Sequence, residues 1–393
     1  MGSLGKSDNH NSQGLSALTG WVPYWYGSGT MALAVAVKAA CVNVKSGNPK
    51  VVLAAYGCPD LVAAIRFAGA TPHYVDLEID RLNMDPVQLR RVLEEDRDIC
   101  AIIGSDLFGV SENWEVLKSS CPEPRPVLIQ DCAQSLQSKL AFRDNLHGDV
   151  VVFSFGRGKP LCLLGGGALL VADSVPCDIA NALQLANHGT DESRVRFSKF
   201  KMAFYNFLIN PRLYSLLAMV MGKRLGEIRY IPLLSVERMS MITASDVDAA
   251  VEWFWSNHAD NFAALFTALL PILQDFGDEI STLIPTETEK EGERIFLRMP
   301  LLIRSPEMRD ELIRELIANG ISATTMYKRV LPDIVGPQDV PVKKDDHPVA
   351  RHLADRLVTL PVHSRLSRRD IKLISKVFRN YFRPSASCEV AGT

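Results

Sequence analysis

Val150-Val151-Val152-Phe153-Ser154-Phe155 is an uninterrupted apolar run, the pattern of a central strand covered on both faces. It runs into a loop, Gly156-Arg157-Gly158-Lys159-Pro160-Leu161, and Gly165-Gly166-Gly167 then opens a second apolar run reaching Ala172. The pattern repeats upstream. Strand-like stretches at Val51 to Ala55, His73 to Leu77, Cys100 to Gly104 and Val127 to Gln130 alternate with helical ones at Pro59 to Phe67 and Asp85 to Glu94. That alternation predicts a doubly wound α/β fold built on a mostly parallel sheet.

After Ala172 the strands stop. Cys177 to His188 and Phe197 to Glu227 read as helical, with a break at Pro211, and Ala244 to Phe276 as a further helix. Arg294 to Leu302, a helix over Glu307 to Asn319, an extended Ser322 to Met326 and a terminal helix over Arg368 to Phe382 make an α+β pattern. The expected division is a disordered lead over 1–15, a large domain over 16–244 and a smaller C-terminal α+β domain over 245–393.

The chain of 393 residues is 47% hydrophobic and 22% charged, enough to bury a large core. Its net charge of -2, with basic residues scattered, favours neither nucleic acid nor an anionic membrane as partner. Leu213 to Gly222, the greasiest stretch, is well short of the roughly 20 residues that a spanning helix requires, and suits a packed or interface helix instead. Met1 to Gln13 lacks a basic-then-apolar signal pattern, and the eight cysteines contain no CxxC pair. Reduced thiols, a cytoplasmic location and no metal centre are expected.

Four features at strand-to-helix junctions point to one chemistry. Lys159 follows a buried strand, where partial desolvation makes an amine a usable nucleophile towards a carbonyl. Asp131 ends the run Val127-Leu128-Ile129-Gln130, where a carboxylate can keep a pyridinium nitrogen protonated; Gln134 is close enough to reach the ring's phenolic oxygen. Ser154 can donate a hydroxyl to a phosphate. The turn Tyr26-Gly27-Ser28-Gly29-Thr30-Met31 opens an Ala-rich helix whose free N–H groups suit the same phosphate. Each has a plainer alternative: Ser28 or Asp131 as a helix cap, Ser154 as a small core residue, Lys159 as a solvated loop lysine. Together they describe a site for pyridoxal 5'-phosphate.

The chain resembles the DegT/StrS family of fold-type I pyridoxal phosphate aminotransferases from about Gly27 to Arg379. The resemblance is carried by Gly69-Ala70-Thr71-Pro72 before Val75-Asp76, Leu107-Phe108-Gly109, Gly148-Asp149, Asn187-His188-Gly189 and Leu360-Pro361-Val362-His363 with Leu366-Ser367. It implies a homodimer with a shared active site and Lys159 as the Schiff-base lysine. It also implies Asp131 on the ring nitrogen, Gln134 on the ring hydroxyl, and Gly29, Thr30, Met31 and Ser154 on the phosphate. His188, Tyr327, Lys328 and Arg329 match family positions that approach the substrate; Lys328 or Arg329 suits a diphosphate, and a solvated basic turn is the plain alternative.

The departures are specific. Cys58, in Tyr56-Gly57-Cys58-Pro59, stands where many members put an aromatic ring against the pyridine, so that stacking is either lost or supplied by Tyr56. Leu164-Gly165-Gly166-Gly167 replaces Gly-Glu-Gly-Gly, Asp106 replaces a common His, and only 27 residues precede Ser28. The family's Gly, Asn and Arg loop, given across the dimer to the phosphate, is not recognisable between His188 and Ser245. The expected activity is transfer of an amino group from glutamate or glutamine to a keto acceptor, a nucleotide-linked keto-sugar being the family default. Two alternatives stay open: a lyase or decarboxylase using the same cofactor on a small substrate, and a low-activity cofactor-binding regulatory relative.

Overall fold

The computed structural model describes residues 19–136, 143–173, 175, 181, 229–239, 244–284, 296–336, 343, 345–363 and 366–383. The polar lead, His188 and the apolar stretch 213–222 lie outside the described residues.

Seven strands form the main sheet: β1 (Val22–Tyr26), β2 (Lys50–Ala54), β3 (Thr71–Val75), β4 (Ile99–Ser105), β5 (Val127–Asp131), β6 (Val150–Ser154) and β7 (Gly167–Val171). Their order is β1-β7-β6-β5-β4-β2-β3. β3, β2, β4, β5 and β6 are parallel, whereas β7 runs antiparallel to both β6 and β1. Helices α1 (Gly29–Ala40), α2 (Pro59–Phe67), α3 (Pro86–Glu95) and α4 (Trp114–Ser119) connect them. Alternate residues of one strand serve opposite faces: Val51 and Leu53 of β2 join Leu33, Val37 and Ile65 beneath α1 and α2, and Val52 joins Leu89 and Trp114 on the other side. This two-sided burial explains why the central strands read as continuous apolar runs.

The 32-residue helix α5 (Ala244–Asp275) connects two cores. Val247, Val251 and Phe254 pack with Phe153, Phe155 and Leu170 of the main sheet, and Leu265, Leu269 and Ile272 pack in the C-terminal body. That body comprises the antiparallel strands β8 (Ile280–Thr282), β9 (Arg298–Ile303) and β10 (Leu357–Pro361), in the order β10-β9-β8, with α6 (Pro306–Ala318), α7 (Leu331–Val335), α8 (Pro348–Arg356) and α9 (Arg368–Phe382). α9 starts with a capping box of Ser367 and Asp370 and buries Ile371, Ile374, Val377, Phe378 and Phe382 at helical spacing.

Several elements depart from the sequence expectation. β1, with its three aromatic residues, is a full strand on the sheet edge. β10 and α8 fill a region with no predicted element. Ser322 to Met326 makes only an isolated antiparallel bridge, Thr324 with Thr359, on the outer edge of β10. The two bodies are fastened by Asp76: its carboxylate accepts the Val349 and Ala350 N–H groups at 3.0 and 2.8 Å, capping α8, where His347 provides no side-chain cap.

Candidate active site

The first turn of α1 and the C-terminal ends of β5 and β6 converge on one cleft edge, the position where open α/β sheets bind ligands. Ser28 accepts the Met31 N–H at 3.2 Å and caps α1, so the Met31 backbone donor is engaged; the Met31 sulfur in turn accepts from Glu237 N–H at 3.4 Å. The helix start lies hard against β6. A Cβ on Gly29 would sit 2.6 Å from the Ser154 Cβ, and one on Gly167 would sit 2.5 Å from the Gly29 nitrogen. Only glycine permits this approach, which brings Ser154 Oγ alongside the N–H groups of the helix start.

β6 leads into a loop pinned at its root. Phe155 N–H donates to Gly166 O at 2.9 Å, and Phe155 O accepts from Leu163 and Gly165 at 2.9 and 3.2 Å. Leu164, at the place of the family's first glycine, takes φ 67°, a left-handed conformation that costs a branched side chain more than glycine. Lys159 is half-buried on this loop and faces Asp131 and Cys58: burial raises the pKa of the Asp131 carboxyl and of the Cys58 thiol, and the Lys159 charge opposes both shifts. Asp131 Oδ1 accepts from Ala133 N–H at 3.0 Å and Oδ2 from the Ser105 hydroxyl at 3.5 Å. Its own loop is thus capped, and the residue is half-buried.

Gln134 is buried. Its Nε2 donates to the Tyr327 hydroxyl at 3.0 Å and its Oε1 accepts from Phe108 N–H at 3.4 Å. Tyr327 is 2% exposed and meets Tyr56 edge-on, ring centroids 5.5 Å apart, with its N–H donating to the Tyr56 hydroxyl at 3.4 Å. Tyr56 is therefore committed to Tyr327. Cys58 lies half-buried at the start of α2 with its pKa pushed up to about 11, chiefly by burial, and so presents a neutral thiol. Lys328 and Arg329 are exposed on the adjoining turn.

Two groups escaped the sequence reading. Arg238 pairs with Tyr26 as an antiparallel bridge, and Gly27 N–H donates to Glu237 O at 2.8 Å, so the 229–239 segment runs beside the phosphate-type turn. Arg238 Nε and Tyr26 Oη are both buried without a hydrogen-bond partner among the described residues. Unsatisfied donors beside a glycine cradle and a helix N-terminus suit an anion, and a phosphate fits. Without the Gly and Asn of the family loop, spacing gave no signal for Arg238.

The second is an acid pair behind Asp131. Asp106 N–H donates to Asp131 O at 3.0 Å, and the Asp106 carboxylate accepts from Gln130 Nε2 at 2.9 Å and Glu112 N–H at 3.2 Å. Glu112 accepts from Asn83 Nδ2 and Asn113 N–H, both at 2.9 Å. Burial pushes Asp106 up to about 6 and Glu112 up to about 7, against the hydrogen bonds each accepts. The folded protein therefore binds these protons more tightly than the unfolded chain, and stability falls as pH rises from about 4 to about 7. For Glu112, a shift from 4.5 to about 7 corresponds to a loss on the order of 3 kcal/mol across that window. Urea midpoints from pH 4.5 to 8 should follow this slope, and Glu112→Gln should flatten it while lowering stability at acid pH, since its new amide faces Met84 N–H. An unchanged slope in the variant would remove Glu112 as its source.

Among the described residues no group of three or more His, Cys, Asp or Glu side chains could hold a metal, and no helix is long and apolar enough to cross a membrane.

A profile of the DegT/DnrJ/EryC1/StrS aminotransferase family matches residues 25–232 and 245–379. EpsN of Bacillus subtilis (strain 168), provisionally assigned as a pyridoxal phosphate-dependent aminotransferase, is 30% identical over 162 residues, 40% of this chain and 41% of that one. The UDP-2-acetamido-2-deoxy-3-oxo-D-glucuronate aminotransferase of Pseudomonas aeruginosa is 27% identical over 164 residues, 41% of this chain and 42% of that one. The chain thus spans about two-fifths of the length of each of these relatives. DesV of S. venezuelae superimposes with a TM-score of 0.67 at 20% identity, over 94% of this chain and 88% of that one, a likeness of fold.

Proposed function

The chain belongs to the DegT/DnrJ/EryC1/StrS aminotransferase family, and from that premise we propose that it moves an amino group from glutamate or glutamine to a nucleotide-linked keto-sugar. Its cofactor is pyridoxal phosphate, which when bound supplies an electron sink for charge developing at the substrate's α-carbon. The observation that carries the reading is the close approach of Gly29 to Ser154 at the start of α1, with Asp131 ending β5 and a half-buried Lys159, whose charge acts on Asp131, on the loop after β6.

Each side chain then has a task. Gly29, Thr30, Ser154 and Arg238 would hold the phosphate, with the Tyr26 hydroxyl as a further donor. Asp131, fixed by Ala133 and Ser105, would hold the ring nitrogen's proton. Gln134, oriented by Tyr327 and Phe108, would donate its remaining amide hydrogen to the ring hydroxyl. Cys58 would supply a neutral thiol beside the ring. Lys159 Nζ, the amine whose charge acts on Asp131, takes the proton from the donor's α-carbon and later returns one to the acceptor's carbon. A second copy of the chain completes the entrance in a homodimer, and the reaction belongs in the cytoplasm.

The acceptor assignment takes support from the Pseudomonas aeruginosa relative and from the exposed Lys328 and Arg329, which suit a diphosphate. In the separate half-reactions, Lys328→Ala with Arg329→Ala should raise the apparent KM for the nucleotide-sugar about tenfold or more. The donor half-reaction, followed by loss of the cofactor's absorbance band, should stay unchanged because glutamate carries no diphosphate. Equal impairment of both halves would remove this turn from the acceptor site. A wild-type protein whose cofactor band does not respond to any amino donor would instead favour the regulatory alternative.

A further inference from the structure

Cys41 caps the C-terminal end of α1, Cys100 is the second residue of β4, and their sulfurs lie 3.6 Å apart although 59 positions separate them in the chain. The two differ in access. Cys41 is half-buried and precedes the exposed turn from Lys45 to Asn48, whereas Cys100 is 7% exposed in the core beneath α1. Neither sulfur belongs to the cofactor site, because the 12 residues of α1 put Cys41 about 18 Å from the Gly29 end.

With both thiols protonated, the Cys100 S–H donates to Lys50 O at 3.3 Å. When Cys41 loses its proton, that S–H can turn to the Cys41 sulfur, and this hydrogen bond lowers the Cys41 pKa against the effect of burial. Other thiols go the opposite way: burial pushes Cys58 and Cys121 up to about 11 and Cys132 well above its ordinary value. Cys41 thus combines partial solvent access and a favoured thiolate with a second thiol in contact, the three attributes of an oxidation-sensitive pair.

We infer that Cys41 and Cys100 are a modification site, a thiol pair that peroxide converts to a reversible disulfide latching α1 to β4. The Cys41 thiolate attacks one peroxide oxygen, so that an S–O bond forms as the O–O bond breaks. The sulfur is oxidised to a sulfenic acid, and the departing hydroxide takes up the proton the thiol released, giving water. Cys100 then attacks the Cys41 sulfur: the S–S bond forms, the S–O bond breaks, and the leaving hydroxide carries off the Cys100 proton as a second water. Closing 3.6 Å to the roughly 2.05 Å of a disulfide requires a movement of about 1.5 Å. The helix end at Cys41 supplies it, since β4 is held by β2 and β5 on its two sides.

The crosslink closes a loop that contains β2, α2, β3 and α3, the edge of the main sheet beyond β4. Tyr56, Cys58 and the Asp76 clasp lie within that loop. Joining its ends restricts the unfolded chain and so stabilises the folded one.

The test treats cofactor-loaded, full-length protein with a few equivalents of hydrogen peroxide, blocks the remaining free thiols and maps the unreduced peptides. A peptide linking Cys41 to Cys100 should appear, dithiothreitol should remove it, and the oxidised form should gain about 5 °C or more in thermal midpoint. Cys41→Ser should abolish both the link and the gain. In Cys100→Ala, Cys41 should stop at a sulfenic acid that dimedone traps; if that variant does not fold, Cys41→Ser decides alone. Cys121→Ser, at a thiol outside the pair, should leave link and gain intact. Both thiols still free after peroxide treatment, a Cys41 sulfinic acid beside an unmodified Cys100, or a disulfide from either residue to another cysteine would overturn the inference. A linked form with an unchanged midpoint would overturn the latch.

Discussion

Borohydride reduction of the cofactor-loaded protein, followed by peptide mapping, should place the label on Lys159, and Lys159→Ala should lower turnover by about 10⁴-fold or more. The expected size follows from two tasks falling on one amine. In the proposed function Lys159 is both the point of cofactor attachment and the proton carrier, so its loss would remove both. Lys159→Arg should fare no better, because a guanidinium keeps a positive charge near Asp131 but stays protonated at every working pH and so offers no free lone pair as nucleophile or base. The loop is held by Phe155 through three backbone hydrogen bonds that do not involve the lysine side chain, so both variants should fold. A label on another lysine, or Lys159→Ala within tenfold of wild-type turnover, would remove Lys159 from the chemistry.

Asp131→Asn should retain the cofactor and lose about 10³-fold in turnover. The amide oxygen can still accept from Ala133 N–H, which is the contact that caps the β5 turn, so the thermal midpoint should move by only a few degrees. What the amide cannot supply is a negative charge opposite a ring nitrogen. Burial already works against that charge, raising the Asp131 pKa, and Lys159 offsets part of the penalty. A cationic ring nitrogen would offset more, so cofactor and carboxylate should stabilise each other, and the variant should release pyridoxal phosphate faster on dialysis. Unfolding of Asp131→Asn would assign the residue to capping alone. Near-normal turnover would exclude it from the mechanism.

The sequence by itself determined the α/β class, because strands covered on two faces must be apolar at every position and helices between them must repeat at 3.6 residues. It also marked Gly29, Asp131, Ser154 and Lys159, since each stands at a junction between a strand and the following loop or helix, where local chain order and spatial position coincide. Contacts between distant segments left no such trace. Gln134 meets Tyr327 across 193 positions, Tyr327 meets Tyr56 across 271, and Asp76 caps α8 across 273. Arg238 became a candidate only because its segment lies along β1. Whether a buried charge is paired depends on which segments the fold brings together, and local pattern carries no information about that; tertiary structure alone decided it.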